Sequence, residues 1–366
     1  MSADPLSPRA LNRATLARQL LLDRSAIAPL EAVEHLVGMQ AQIPHNPYLG
    51  LWSRLAGFAP EALSALLLDR ALVRIVVMRA TIHLVSADDC LTLRPLMQPV
   101  LDAELRRHPE YGKGALDGAD MDAVLAFARA LVEEAPRTGA QLRAALQERF
   151  PEHNGAALAY ACRNLLAFVQ VPPRGVWGQT MQVTSTTAEA WLGRPLEPAP
   201  SIDAVVLRYL GAFGPATVAD IASWSRLTAM RAVVERLAPR LRTFRDERGR
   251  TLYDLPDAPR PDVETPAPPR FLPEYDNVLL SHADRTRFES GEQRGRLGAG
   301  GRAVHGSLLV DGVGRATWRI EGGALFVDHT GRFGKREASA IEAEGRRMLE
   351  FLEPGTAGDV RFVALG

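Results

Sequence analysis

Two glutamines with one small residue between them, Gln40-Ala41-Gln42, lie in the stretch VEHLVGMQAQIPHNP from Val33 to Pro47. Each amide offers a carbonyl acceptor and an NH2 donor but has no proton to give at neutral pH. Such a pair can orient a water, or place partial negative charge beside a developing cation. It cannot be a strong general base, so it suits a reaction whose leaving group is already activated. The backbone sets a condition. In a continuous helix, residues two apart point about 200° away from each other. Leu30, Val33, Leu36 and Val37 repeat at helical spacing, and Pro44 disfavours helical backbone at Ile43, which predicts a helix ending near Gln42. The amides can converge only if the chain unwinds there. On the residues alone, two exposed glutamines at a helix end are the simpler reading.

Other chemistries find no residues. No Gly-rich loop leads into Lys-Ser/Thr, and no Gly-x-Ser-x-Gly elbow is present. Ser86–Cys90 reads as a helix N-cap with acids in its first turn. Cys90 and Cys162 lie far apart and the histidines are scattered, so neither a zinc site nor a metal cluster is expected, and the expected chemistry needs no cofactor. With no leader at Met1–Arg13 and no long apolar run, the expectation is a cytoplasmic protein outside any membrane. The formal net charge is zero, which argues against crude electrostatic attraction to nucleic acid. Among the cations only Lys113 and Lys335 are lysine, and arginine suits phosphate and base edges, although a GC-rich genome produces the same bias.

The 366 residues allow several compact modules. Three stretches repeat the order helix, turn, helix, hairpin, which is the order of a winged helix. They span 7–110, which holds the glutamine pair, 115–195 and 200–258. In the second, Thr138 and Gln141 have the spacing of a capping box, and Val169–Thr186 reads as two strands around a Pro-Pro-Arg-Gly tip. A proline-rich linker, Pro256–Pro269, leads to a β-rich segment over 270–366. The predicted fold is mainly α with β-wings: tandem winged-helix domains plus a C-terminal small β-barrel-like domain. Arg79 and His83 flank the first hairpin turn, Arg174 lies at the second tip and Arg248 at the third. In winged helices such tips rest on DNA phosphates.

Five blocks, in order, carry a resemblance: LNRATLARQLLL, AVEHLVGMQAQIPHNPYLGLWSRL, MRATIHLVSADD, RNLLAFVQVPPRGVWG and RFLPEYDNVLLSHADR. Together they resemble the AlkZ/YcaQ group of winged-helix DNA glycosylases, from about Leu11 to beyond Arg285. The resemblance implies tandem winged helices with a β-barrel-like C-terminal domain, arranged as a C around DNA. It implies hydrolytic removal of alkylated purines, chiefly N7-alkylguanine, with interstrand crosslinks as further substrates in some members. The family motif is Gln, an aliphatic residue, then Gln, with Asp last in the YcaQ branch. Gln40-Ala41-Gln42 matches the AlkZ-like form and makes both glutamines the implied catalytic residues. Arg79, His83, Arg174 and Arg248 are the candidate DNA contacts. The expected state is a monomeric, monofunctional glycosylase acting on double-stranded DNA. The rival reading is a non-enzymatic winged-helix DNA-binding protein, such as a transcription regulator. A third is a C-terminal protein-interaction module beside a vestigial enzyme.

Overall fold

The computed structural model describes residues 5–112, 114–289, 306–355 and 358–365. Its strands, in chain order, are β1 (Met39–Gln40), β2 (Leu72–Val76), β3 (Ile82–Ser86), β4 (Arg137–Thr138), β5 (Phe168–Gln170), β6 (Thr184–Thr187), β7 (Arg242–Arg245), β8 (Thr251–Asp254), β9 (Arg270–Leu272), β10 (Gly306–Val310), β11 (Val313–Glu321), β12 (Ala324–His329) and β13 (Val360–Ala364). Among the described residues they form three sheets, in the orders β1-β3-β2-β5-β6-β4, β7-β8 and β13-β12-β11-β10-β9. Helices pack around them, so the architecture is mixed α/β.

The hairpins of the first two stretches do not stand apart. Arg74 and Ile75 on β2 pair antiparallel with Gln170 and Val169 on β5, so the two hairpins form one continuous sheet. Alternation explains the pairing. Val73, Ile75, Val85 and Val169 face a core that also holds Val205, Tyr209, Phe213 and Trp224. On the opposite face Met39, Ala41, Leu72, Ile82 and Leu84 join Ala32, Val33, Leu51 and Leu63. A β2 buried on both faces would be an aggregation-prone edge if left unpaired, and β5 covers it. The first core draws residues from all three helix–hairpin stretches. Helices Met121–Glu134, Gly139–Arg149 and Gly155–Leu165 keep a smaller core of their own around Val124, Val132, Leu142, Leu158 and Cys162.

Several local expectations hold. Thr138 and Gln141 make the capping box at the start of Gly139–Arg149. The Ser86 side chain accepts from the Asp89 amide at the start of helix Ala87–Leu96. Gly249, with φ +76°, forms the turn between β7 and β8. The second hairpin differs from its expectation. Pro172 and Pro173 have no N–H for a ladder, so β5 stops at Gln170 and β6 begins at Thr184. The intervening loop crosses to the first stretch. There the Tyr48 hydroxyl donates to the Gly175 carbonyl at 2.8 Å, and Trp177 packs on Tyr48 with ring centroids 4.9 Å apart.

Among the described residues the C-terminal strands form an open row, where the sequence predicted a small barrel-like domain. β9 and β13 are the two ends of an open row among the described residues, with β13 parallel to β12 and the other pairs antiparallel. Closure would require those ends to pair. Instead helix Lys335–Leu352 lays Ile341, Met348 and Leu349 on one face, against Phe271, Leu308, Leu325 and Val327. This segment also packs against the first helix, Pro8–Arg18. Leu16, Leu21 and Leu22 share a core with Leu272, Val278, Leu279 and Leu309, and the buried Asn12 amide donates to the Arg287 and Gly312 carbonyls at 2.8 Å.

Candidate active site

The first expectation to fall is the helix that ends at Gln42. It spans Pro29–His35 and stops seven residues earlier. Val37 takes a left-handed backbone, φ +55°, and Gly38 follows at φ +86°. The Gly38 amide donates back to the Val33 carbonyl at 2.9 Å and the Val37 amide to Glu34 at 3.0 Å, a Schellman-type stop. Gly38 cannot be replaced without strain: a Cβ there would lie 2.8 Å from the Val85 side chain. The reversal delivers Met39 and Gln40 as an extended strand on β3, with Gln40 opposite His83. In extended backbone, residues i and i+2 share a face. Met39 and Ala41 both fill the apolar core, which turns Gln40 away from it. The helical geometry that would have split the pair is absent.

Gln40 is buried at 9% exposure, and its orientation is fixed by Arg79. Arg79 Nη2 donates to Gln40 Oε1 at 2.8 Å and to Asn277 Oδ1 at 2.9 Å, and it lies 3.3 Å from His83 Nε2. Arginine only donates, so the atom facing it must be the amide oxygen. Gln40 is thereby left with its NH2 as the free end. Arg79 Nη1 reaches the Trp224 carbonyl at 3.3 Å. Arg79 and Ala80 both adopt left-handed backbone at the β2–β3 turn, with φ +58° and +55°. Such strain costs on the order of 1–3 kcal/mol per residue and persists only where surroundings enforce it. Burial, and then the charges of Arg226 and Arg285, pull the Arg79 pKa down to about 10, which still leaves it cationic at neutral pH.

His83, a candidate DNA contact in the sequence, has a side chain with no exposed surface in this structure. Its Nδ1 lies 3.0 Å from the Thr81 carbonyl and must donate there, so Nε2 is the lone-pair nitrogen turned to Arg79. Burial first, and the Arg79 charge second, push its pKa down to about 3. The folded protein therefore resists a proton that the unfolded chain accepts near pH 6.5. Stability is undiminished above pH 6.5 and falls as pH drops toward 3, by about 1.4 kcal/mol per pH unit from this group. Thermal unfolding of His83→Gln at pH 7 and pH 5 should show a smaller acid loss than the parent chain. An equal loss in both would contradict the assignment.

Gln42 is exposed and sits where the ladder ends. The Ala41 amide still donates to the Ile82 carbonyl at 2.8 Å, but the Ala41 carbonyl turns away to accept from Arg74 Nη2 at 2.7 Å. The Ile82 amide, deprived of a backbone acceptor, instead faces Gln42 Oε1 at 3.5 Å. That bond is long and weak, so the oxygen is available to another donor. Gln42 lines a cavity of about 340 Å³ with Arg74, Ile82, Phe168 and Gln170, whereas Gln40 lines a separate recess with Asn46, Arg54 and Asn277. The two amides thus flank Ala41, Gln40 at the end of β1 and Gln42 just beyond it, and they line separate recesses.

Behind Gln40 lies a buried polar brace. Arg54 forms a two-pronged pair with Asp276, both bonds 2.8 Å, and reaches Gln19 Oε1 at 3.3 Å. Asp276 also caps the short helix Asn277–Leu280, accepting from the Val278 amide at 3.0 Å. Asn277 is tied to the Gly38 carbonyl at 3.1 Å through its NH2. The stretch PEYDN, Pro273–Asn277, therefore supplies one of the three acceptors around Arg79 Nη2. Asn277 is the residue that sequence reasoning missed. Its signal was its place in that block, beside an acidic residue that proves to be a cap.

The remaining expected contacts lie apart from the glutamines. Arg174 is half-buried beside the loop that follows Gln42. Its Nη1 donates to the Met181 carbonyl at 2.8 Å, and its charge helps lower the pKa of His45, after burial and Arg74. Arg248 stands at the β7–β8 turn and is more than half exposed, but its charge is shared with Asp284 at 2.9 Å, which Arg250 also holds at 2.6 Å. Against its partial burial, hydrogen bonds from Thr286 first and then Arg250 hold the Asp284 carboxyl down to about 2. Among the described residues no group of acids, histidines and cysteines could hold a metal ion.

The comparisons name the class. The family model of AlkZ-like DNA glycosylases matches residues 33–351, and the chain belongs to that family. Among solved structures, a DNA glycosylase AlkZ from Streptomyces sahachiroi is similar over 99% of this chain and 100% of that one, with a TM-score of 0.78 at 20% identity. No curated protein matches. No helix among the described residues is long and apolar enough to cross a membrane.

Proposed function

We propose that this glycosylase hydrolyses the N-glycosidic bond of N7-alkylguanine in double-stranded DNA, with Gln40 and Gln42 as its catalytic residues and interstrand crosslinks as further substrates. The observation that carries the reading is the strand end at Ala41. It leaves Gln42 Oε1 exposed and weakly held, and it leaves Gln40 pinned by Arg79 with only its NH2 free.

Alkylation at N7 makes guanine cationic and weakens the bond from N9 to the sugar. As that bond breaks, its electron pair neutralises the base and the positive charge moves to the sugar, as in glycoside hydrolysis. A water then adds at C1′ and gives up a proton to solvent. The Gln42 oxygen aligns this water and lies against the developing charge. Gln40, a fixed donor, holds the water or the sugar from the other side. No proton need be delivered to the base, which suits two amides. Arg174 and Arg248 contact phosphate, and the helix–hairpin stretches act as winged helices around the duplex, with the chain working as a monomer.

Product analysis tests this. A duplex with one N7-methylguanine should yield free base and an unbroken abasic strand, in chelator as in buffer. Immediate strand cleavage, with a covalent adduct trapped by borohydride, would contradict the monofunctional hydrolysis. Sequence-dependent binding with no base release would favour the regulator reading. A crosslinked duplex should resolve into single strands on denaturing gels, and persistence of the crosslink would confine the enzyme to mono-adducts.

A further inference from the structure

Beside Arg79, and separate from the recess that Gln40 lines, lies a groove of about 420 Å³ lined by four arginines: Arg79, Arg106, Arg107 and Arg226. We infer that this groove seats a phosphodiester of the DNA strand, and that Arg79 joins the seat to the Gln40 amide. The inference rests on the proposed function only in taking duplex DNA as the ligand.

Three elements build the groove. Arg106 and Arg107 are the last two residues of helix Gln98–Arg107. Arg226 is the left-handed C-cap of helix Val218–Ser225, with φ +63°. Arg79 comes from the strained β2–β3 turn between them. Glu104 is the one carboxylate among the lining residues, and its Oε1 lies 3.5 Å from the Tyr160 hydroxyl. Arg106, Arg107 and Arg226 are exposed and make no ion pair among the described residues. Helix C-termini attract cations, which accounts for part of this placement, but each end carries only roughly half a negative charge. Four full positive charges outweigh two such ends and one carboxylate. The repulsion is already felt within the protein, since the Arg226 charge helps to depress Arg79. An anion in the groove would relieve it. Arginine forks match phosphate oxygens in pairs, which favours phosphate over a carboxylate ligand.

The link to Gln40 gives the seat a consequence. Arg79 Nη2 has two hydrogens and three acceptors within 3.3 Å, namely Gln40, Asn277 and His83. A phosphate in the groove would add an anion beside this crowded arginine, and so bear on the set of the Gln40 oxygen that Nη2 holds.

The test uses the full chain and an undamaged duplex, so that it stands apart from base release. Each phosphate neutralised contributes about 0.9 to the slope of log affinity against log salt. The double variant Arg106→Gln/Arg226→Gln should reduce that slope by about 1 and weaken binding several-fold at low salt. Arg346→Gln, on an exposed helix elsewhere, should leave the slope unchanged. An unaltered slope in the folded double variant overturns the seat. If that variant does not fold, Arg107→Gln, at an exposed helix end, decides the matter by the same reading. Inorganic phosphate is the other source of the same chemistry. If it binds the parent chain but not the double variant and yet leaves duplex binding to the parent chain unchanged, at ionic strength matched with chloride, the groove belongs to free phosphate and the DNA assignment fails.

Discussion

Gln42→Ala is expected to lower single-turnover release of N7-methylguanine by about 10²–10³-fold while leaving duplex affinity within a few-fold of the parent chain. The size is that of losing one preorganised group aimed at transition-state charge. Stability should change little, because the side chain is exposed and its one hydrogen bond, to the Ile82 amide, is 3.5 Å long. Gln42→Asp should keep more activity than Gln42→Ala, since a carboxylate offers the same acceptor with more charge and is the residue that the YcaQ-like form carries. Gln40→Ala is expected to be as damaging to release but to cost stability as well, because it strips the half-buried Arg79 of an acceptor at 2.8 Å. If Gln42→Ala loses duplex binding and release in the same proportion, the residue binds DNA and does not take part in the reaction.

The second large effect concerns the brace behind the site. Asp276→Ala should destabilise the protein by about 3–5 kcal/mol, because it leaves the Arg54 guanidinium buried without its counter-charge. It also removes the cap that starts the Asn277 helix, and so frees one of the acceptors on Arg79. Chemical denaturation should show the loss as a lower midpoint with the same slope. Arg54→Met combined with Asp276→Leu should recover much of the stability, since a buried pair replaced by apolar groups often costs little. Recovery of stability without recovery of base release would show that the brace serves the placement of Asn277 as well as the core. A single variant as stable as the parent chain would contradict the brace altogether.

The glutamine pair could be found in the sequence, but its geometry could not. Periodicity from Leu30 to Val37 is truly helical, and Pro44 is a real boundary signal, yet the chain turns at Gly38, before the proline acts. The sequence did hold that stop: a glycine just after the periodic run is a common helix end. It was hidden because the left-handed position itself falls on Val37, a β-branched residue that rarely adopts it. Caps were the most legible features. Ser86 and Thr138 are local devices, set by a side chain and an amide three residues away, and both form as the spacing predicts. Tertiary pairing was the least legible. Nothing local in Leu72–Val76 or Phe168–Gln170 states that they pair with each other, because the register depends on cores contributed by distant helices. The same limit applies to Asn277 at Arg79 and to the open row of C-terminal strands, which alternate no differently from the strands of a closed barrel.

The central claim is that two neutral amides at a strand end suffice to release a cationic base. The most direct measurement is single-turnover release of N7-methylguanine from a duplex, in chelator, by the parent chain and by Gln40→Ala/Gln42→Ala at equal bound DNA. The account predicts release by the parent chain and a rate for the double variant close to that of the duplex alone. A double variant that releases the base at the parent rate would place the chemistry elsewhere in the molecule.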